Sequence, residues 1–85
     1  MKFKPFQQVA LASDIPEKNL RRGDVATVVD SHLANGGEIG YSIEIFNAVG
    51  DTIAVTAVPE SFLEQLTADE IFHVRPLTES GAFRS

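Results

Sequence analysis

A turn that leads directly into a run of β-branched residues is the feature that most constrains the fold of this chain. Gly23 gives the backbone the freedom that a tight turn requires. The eight residues 24–31 that follow it hold four β-branched side chains, a composition typical of a strand. We therefore predict a strand that begins at Asp24 and extends to Leu33.

Residues 6–11 mix apolar and polar side chains in a short run bounded by Pro5 and Ser13-Asp14, which predicts a first strand. Segments 41–46 and 52–58 alternate in the manner of half-buried strands. In segment 41–46 the odd-numbered residues are expected on one face of the sheet and the even-numbered residues, Phe46 among them, on the other. In segment 52–58 we expect Ala54 and Val58 on the outer face.

Turn and helix signals separate these segments. The Asn35-Gly36-Gly37 cluster and residues 47–51 predict two hairpin turns. After Pro59, apolar residues at helical spacing in segment 59–66 predict one or two turns of helix. Residues 70–75 alternate once more, which predicts a fifth strand that pairs with the first.

The pattern as a whole predicts an all-β protein, a small SH3-like five-stranded barrel with a short helical turn before the last strand. Eighty-five residues form a single domain, which we place at residues 1–76, followed by a flexible tail at 77–85. The chain contains no cysteine, so disulfides and thiolate metal sites cannot stabilise so small a core. The apolar strands must stabilise it.

Several short runs resemble one known family. They are Asp14-Ile15-Pro16-Glu17, Gly23-Asp24-Val25, Tyr41-Ser42-Ile43-Glu44-Ile45-Phe46, Gly50-Asp51-Thr52 and Val58-Pro59. Together they resemble small bacterial proteins catalogued as domain of unknown function 4926, over residues 6–76. The resemblance implies an SH3-like barrel in a bacterial cytoplasmic protein, and it brings no established activity and no catalytic residues.

Charge and hydropathy argue against two classes of partner. The net charge of −5 opposes binding to phosphate backbones, so we expect no nucleic-acid partner. No segment approaches the run of about 18 apolar residues that crosses a bilayer, and the amino terminus lacks the apolar stretch of a signal peptide. We expect a cytoplasmic protein with no membrane contact.

The residues Asp30, Ser31 and His32 are of the three types found in hydrolase triads. On a strand, however, Asp30 and His32 share one face and Ser31 points to the other, so the serine cannot donate to this histidine. We predict no catalytic residue, no metal site and no cofactor. The chain also lacks Trp and has one Tyr, which disfavours a groove for proline-rich peptides.

Two surfaces are candidates for protein contact. The first is the long loop before Gly23, with charged residues Asp14, Glu17, Arg21 and Arg22, because binding residues often lie on loops held by a rigid scaffold. The second is an apolar patch of Phe46, Ala54 and Val58, unless the helical turn or the tail covers it. Carboxylates at positions 60, 64, 69 and 70 lie nearby in the sequence, which favours a basic partner.

These features predict a non-enzymatic protein-binding module. One concrete form is an antitoxin or immunity-like protein that masks a basic surface on its partner. The alternative is a structural or accessory subunit of a larger bacterial complex. Homodimerisation through the Phe46 patch or through an unpaired strand edge is also left open.

Overall fold

The computed structural model describes residues 2–33 and 35–77, and these form one five-stranded antiparallel sheet with the order β4-β3-β2-β1-β5. The strands are β1 (Gln8–Leu11), β2 (Val25–Leu33), β3 (Ile39–Phe46), β4 (Thr52–Pro59) and β5 (Leu63–Gln65). Short 3₁₀ segments occupy Pro16–Lys18, Asn35–Gly37 and Glu60–Phe62. The all-β class, the five strands and the short helical turn before the last strand are confirmed.

The expected closure of the barrel is wrong, because within the described residues the sheet has two open edges, formed by β4 and β5. Side chains from both edge strands nevertheless enter the same core, Val58 from β4 and Leu63 from β5. The sheet therefore packs around one apolar core, although its edge strands β4 and β5 are not hydrogen-bonded to each other.

The last strand lies earlier in the chain than its predicted position at residues 70–75. β5 pairs with β1 as expected, but it does so through Leu63, which lies opposite Leu11 and is 3% exposed. The helical spacing in segment 59–66 was misleading, since Leu63 fills the core from an extended backbone. The helix is accordingly limited to the three residues Glu60–Phe62.

The faces of β3 are as predicted, and those of β4 are reversed. Tyr41, Ile43 and Ile45 are buried while Phe46 is 45% exposed. Val58 lies opposite Tyr41 and Ala54 lies opposite Ile45, and residues directly opposite in an antiparallel pair share a face. Val58 is therefore a core residue and Ala54 packs against the core.

The amino-terminal residues also contribute to the core. Phe3 is 2% exposed and its ring packs edge-on against Tyr41, with 5.4 Å between the ring centroids. The buried Tyr41 hydroxyl accepts a hydrogen bond from the Phe3 amide at 3.2 Å and donates one to Glu60 Oε2 at 2.6 Å. Both the ring contact and the hydroxyl group thus hold the amino terminus on the sheet.

The proposed boundary between a domain ending at residue 76 and a flexible tail stays a prediction. Residues 78–85 of that tail lie outside the described part of the chain. Leu77, its first residue, accepts a hydrogen bond through its carbonyl oxygen from the Asn19 side chain.

Substitution of the buried tyrosine tests the role of its hydroxyl group. We expect Tyr41→Phe to lower the free energy of unfolding by about 1–3 kcal/mol, because the buried Phe3 amide loses its acceptor. The measurement is urea denaturation followed by circular dichroism. Val49→Ala at an exposed position is the control and should change stability by less than about 0.5 kcal/mol; a Tyr41→Phe protein as stable as wild type would contradict the assignment.

Candidate protein-contact site

The long loop between β1 and β2 is an ordered structure with two buried side chains. Ile15 and Leu20 exchange backbone hydrogen bonds of 2.9 and 3.1 Å around the 3₁₀ turn Pro16–Lys18. Both side chains are at most 5% exposed and belong to the core. These two side chains therefore attach the loop to the sheet.

The four charged residues predicted for this loop are all exposed. Two of them, Asp14 and Arg22, are joined by a hydrogen bond near the two ends of the loop. Asp14 Oδ1 accepts a hydrogen bond from the backbone amide of Arg22 at 2.7 Å. The amide of Arg21 donates to Asp24 Oδ2 at 2.8 Å. Glu17 lies exposed within the 3₁₀ turn. The loop therefore presents charge on a backbone that its own carboxylates stabilise.

An ion pair that the sequence did not reveal joins this loop to the end of the described chain. Arg75 Nε donates to Asp24 Oδ1 at 2.9 Å, and Arg75 Nη2 donates to Asp24 Oδ2 at 2.5 Å. The same Nη2 donates to the carbonyl of Asn19 at 3.1 Å. We call residues 70–77 the strap, since these bonds hold its far end beside the loop.

Asp24 and Arg75 are each stabilised in the charged form. Partial burial raises the pKa of Asp24, but the hydrogen bonds from Arg75 and from the Arg21 amide, with the positive charge of Arg75, outweigh burial and leave that pKa below its ordinary value. The hydrogen bond to Asp24 raises the pKa of Arg75. Both groups are therefore charged at neutral pH.

A cleft of about 1020 Å³ lies between the strap and the outer face of the sheet. Its walls include Ala10 and Thr27 from the sheet, Phe46 from the end of β3, and Phe72 from the strap. The strap runs through residues 70–75, where a fifth strand was predicted, but these residues pair with no strand of the described chain. The alternation in that segment therefore does not correspond to a strand of the sheet.

The hairpin of β3 and β4 presents a second exposed apolar surface. Phe46 is 45% exposed, Val49 at the turn is 82% exposed, and Val55 is 58% exposed. The turn is rigid, because Asn47 Oδ1 accepts hydrogen bonds from the amides of Val49 and Asp51 at 3.1 and 2.9 Å. We call Phe46, Val49 and Val55 the hairpin face. The hairpin face differs from the predicted patch of Phe46, Ala54 and Val58, because Val58 is part of the core and Ala54 packs against it.

The part of the sequence that holds the hairpin face carries carboxylates and no positively charged side chain of Lys or Arg. Residues 23–74, which include β2 to β5, contain no Lys and no Arg. They contain nine carboxylates, at Asp24, Asp30, Glu38, Glu44, Asp51, Glu60, Glu64, Asp69 and Glu70. This signal is visible in the sequence as a 52-residue gap between basic residues, but a net charge for the whole chain conceals it.

The residues considered for catalysis remain on a strand. Asp30 lies opposite Ser42 and His32 lies opposite Gly40, where the imidazole covers the glycine. Asp30 Oδ1 accepts a hydrogen bond from the Ser31 amide at 2.8 Å. Across residues 2–33 and 35–77, no group of three or more potential ligands is placed to hold a metal ion. The same residues contain no helix long and apolar enough to span a membrane.

Comparison with known proteins gives one match. The family model described as a domain of unknown function (DUF4926) matches residues 6–65, which include all five strands. No curated protein and no solved structure matches the chain. The match ends before the strap, so the Asp24 carboxylate lies within the matched region and Arg75 lies outside it.

Removal of the arginine charge tests the ion pair. We expect Arg75→Met to lower the free energy of unfolding at pH 7 by about 1 kcal/mol, because the bidentate pair is partly shielded from solvent. The folded-state pKa of Asp24 is lowered, so its contribution is present above the unfolded pKa of about 3.9 and is lost as pH falls through the folded pKa. Urea denaturation at several pH values is the measurement.

The difference between Arg75→Met and wild type should therefore shrink toward zero in acid. Lys18→Met, at an exposed position in the neighbouring loop, is the matched control and should leave the pH profile unchanged. A stability difference that stayed constant from pH 7 to pH 2 would show that Arg75 acts through packing and not through the Asp24 charge.

Proposed function

This chain belongs to the DUF4926 family, and we propose that it is a non-enzymatic protein-binding module whose hairpin face docks on a basic partner. The observation that carries the proposal is the exposure of Phe46, Val49 and Val55 in a part of the chain without Lys or Arg. An apolar centre with a polar rim is the usual composition of a protein interface.

The charges around the hairpin face favour one kind of partner. Glu44 lies on the outer face of β3 directly opposite Val55, and Asp51 is exposed at the turn. Lys or Arg side chains on a partner would meet these carboxylates while apolar groups covered Phe46 and Val55. Complementary charge of this kind accelerates association and excludes acidic partners.

The charged loop provides a second contact in the proposal. Asp14, Glu17, Arg21 and Arg22 are exposed on a backbone that is fixed by buried Ile15 and Leu20. A rigid loop loses little conformational entropy on binding. Its mixed charge suits a partner edge that carries both signs, so the loop would contribute specificity and the hairpin face would contribute the apolar contact.

In its most specific form, the proposal describes an antitoxin or immunity-like protein of the bacterial cytoplasm that masks a basic surface. A small acidic domain is suited to this task, because it neutralises positive charge on a partner. Size and charge support this form, and the hairpin face supplies the surface.

The strap supports a second candidate, an accessory subunit of a larger complex. Its side chains are unusually exposed for apolar residues, with Ile71 at 91%, Phe72 at 69% and Val74 at 60%. Contiguous exposed apolar groups on a small protein often mark an interface. A subunit that used both the strap and the hairpin face would hold a neighbour in the cleft, because Phe46, Val49 and the strap line the same cleft.

Capture of a partner tests the hairpin face. Tagged wild-type protein should retain a stoichiometric partner from lysate of its own cells, and Phe46→Glu should reduce the recovered partner at least tenfold, since a buried charge opposes docking. Partners are identified by mass spectrometry at low and moderate salt. A basic partner that is lost as salt rises supports masking, whereas a salt-resistant assembly supports the accessory subunit.

Phe6→Glu is the matched control, because Phe6 is 80% exposed and precedes β1, which β2 separates from the hairpin of β3 and β4. It should retain the partner at the wild-type level. Normal capture by Phe46→Glu would exclude the hairpin face as the docking surface.

A further inference from the structure

We propose that the partner binds by adding an extended, basic segment as a sixth strand along the free edge of β4. This inference rests on the proposed function and specifies how the partner is held. It concerns the backbone of β4, whereas the hairpin face, which shares Val55 with this edge, concerns side chains. Exchange of the β4 amides therefore tests the inference separately from the proposed function.

The direction of the backbone groups on β4 follows from the hydrogen bonds of β2. The amide of Val28 donates to Gln7 at 2.9 Å and its carbonyl accepts from Phe6 at 2.6 Å, so Val28 is bonded on the β1 side. Its neighbour Thr27 is therefore bonded toward Glu44, its partner on β3, since bonding direction alternates along an antiparallel strand.

The same alternation continues across β3 to β4. Because Glu44 is bonded toward β2, Ile43 and Ile45 are bonded toward β4, where they lie opposite Thr56 and Ala54. The remaining backbone groups in the middle of β4, those of Val55 and Ala57, must then point away from the sheet. Both residues are exposed, and β4 has no neighbour on that side among the described residues.

The edge of β4 lacks the usual protection against pairing. Natural edge strands are short, carry Lys, contain proline within the strand, or are covered. β4 has eight residues, Thr52–Pro59, with no charged side chain and with its single proline at the last position. Val55 is 58% exposed and Ile53 is 37% exposed. An uncharged, β-branched edge of this length is a template for another strand.

The carboxylates near β4 determine which kind of segment can pair with its free edge. Asp51 lies immediately before β4 and Glu60 immediately after it, and Glu44 is on the adjacent strand. Antiparallel pairing of β4 with β4 of a second copy would bring two such acidic sets together. A partner segment in which Lys or Arg alternates with apolar residues would instead place positive charge beside carboxylates and apolar side chains beside Val55.

The test uses two synthetic nine-residue peptides, one of alternating Lys and Val and one of alternating Glu and Val. Binding to the full chain is measured by titration, and the exchange of individual amide protons is followed by NMR. We expect the Lys peptide to bind at least tenfold more tightly than the Glu peptide. We also expect its binding to slow exchange of the Val55 and Ala57 amides, while the Thr56 amide is protected with or without peptide.

One variant separates backbone pairing from simple charge attraction, and a second tests the role of charge at this edge. Ala57→Pro removes an outward amide without breaking a bond inside the sheet and changes no charge, whereas Val55→Lys adds a repelling charge while keeping the backbone intact. Each should weaken binding of the Lys peptide at least tenfold. If the proline substitution disturbs folding, the slowed exchange of the Val55 and Ala57 amides in the wild-type protein decides between the two.

Three outcomes would overturn the inference. Binding of the Lys peptide that survives in both variants but is lost in Phe46→Glu would place binding on the hairpin face, and the proposed function would stand without strand addition. Equal binding of the two peptides, or none, would exclude a basic strand at this edge, while partner capture would still test the proposed function. Protection of Val55 and Ala57 in the free protein at high concentration would identify a second copy as the occupant.

Discussion

The position of β3 between β2 and β4 is the constraint on which the rest of the structure depends. One face of β3 supplies Tyr41, Ile43 and Ile45 to the core, and its pairing on both sides determines which residues of the neighbouring strands must also face inward. In a chain of 85 residues without cysteine, this single apolar face has no covalent support. The amino terminus and the loop between β1 and β2 complete the core by adding Phe3, Ile15 and Leu20.

Much of the fold could be predicted because local patterns matched the sheet. β-branched composition located β2, and alternation located β3 and its two faces. The same alternation predicted the faces of β4 wrongly, since the more apolar set, Ile53, Val55 and Ala57, faces outward. Only the register against β3 places Ala54 and Val58 on the core side. Apolar spacing in a run as short as segment 59–66 fits a helix and a strand equally well. The pairing of residues 63–65 with β1 is a contact between distant parts of the chain, which local spacing does not reveal.

The candidate site was predictable only in part, for related reasons. The charged loop and Phe46 are visible in the sequence, because charge and isolated aromatic residues can be recognised locally. The Asp24–Arg75 pair could not be found, since its residues are 51 positions apart and neither is unusual in its own segment. The uncharged edge of β4 also depends on strand order, because the same residues in a central strand would be an ordinary part of the core.

The connection between Asp24 and Arg75 has a consequence for how the molecule forms. Contacts among β2, β3 and β4 join neighbours in sequence, so they require only short loops to close. The strap can be fixed only after Asp24 has its place at the entrance of β2, and the apolar side chains of the strap are largely exposed. We therefore expect the strap to be the last segment to fold and the first to unfold. The cleft exists only while the strap stays in place.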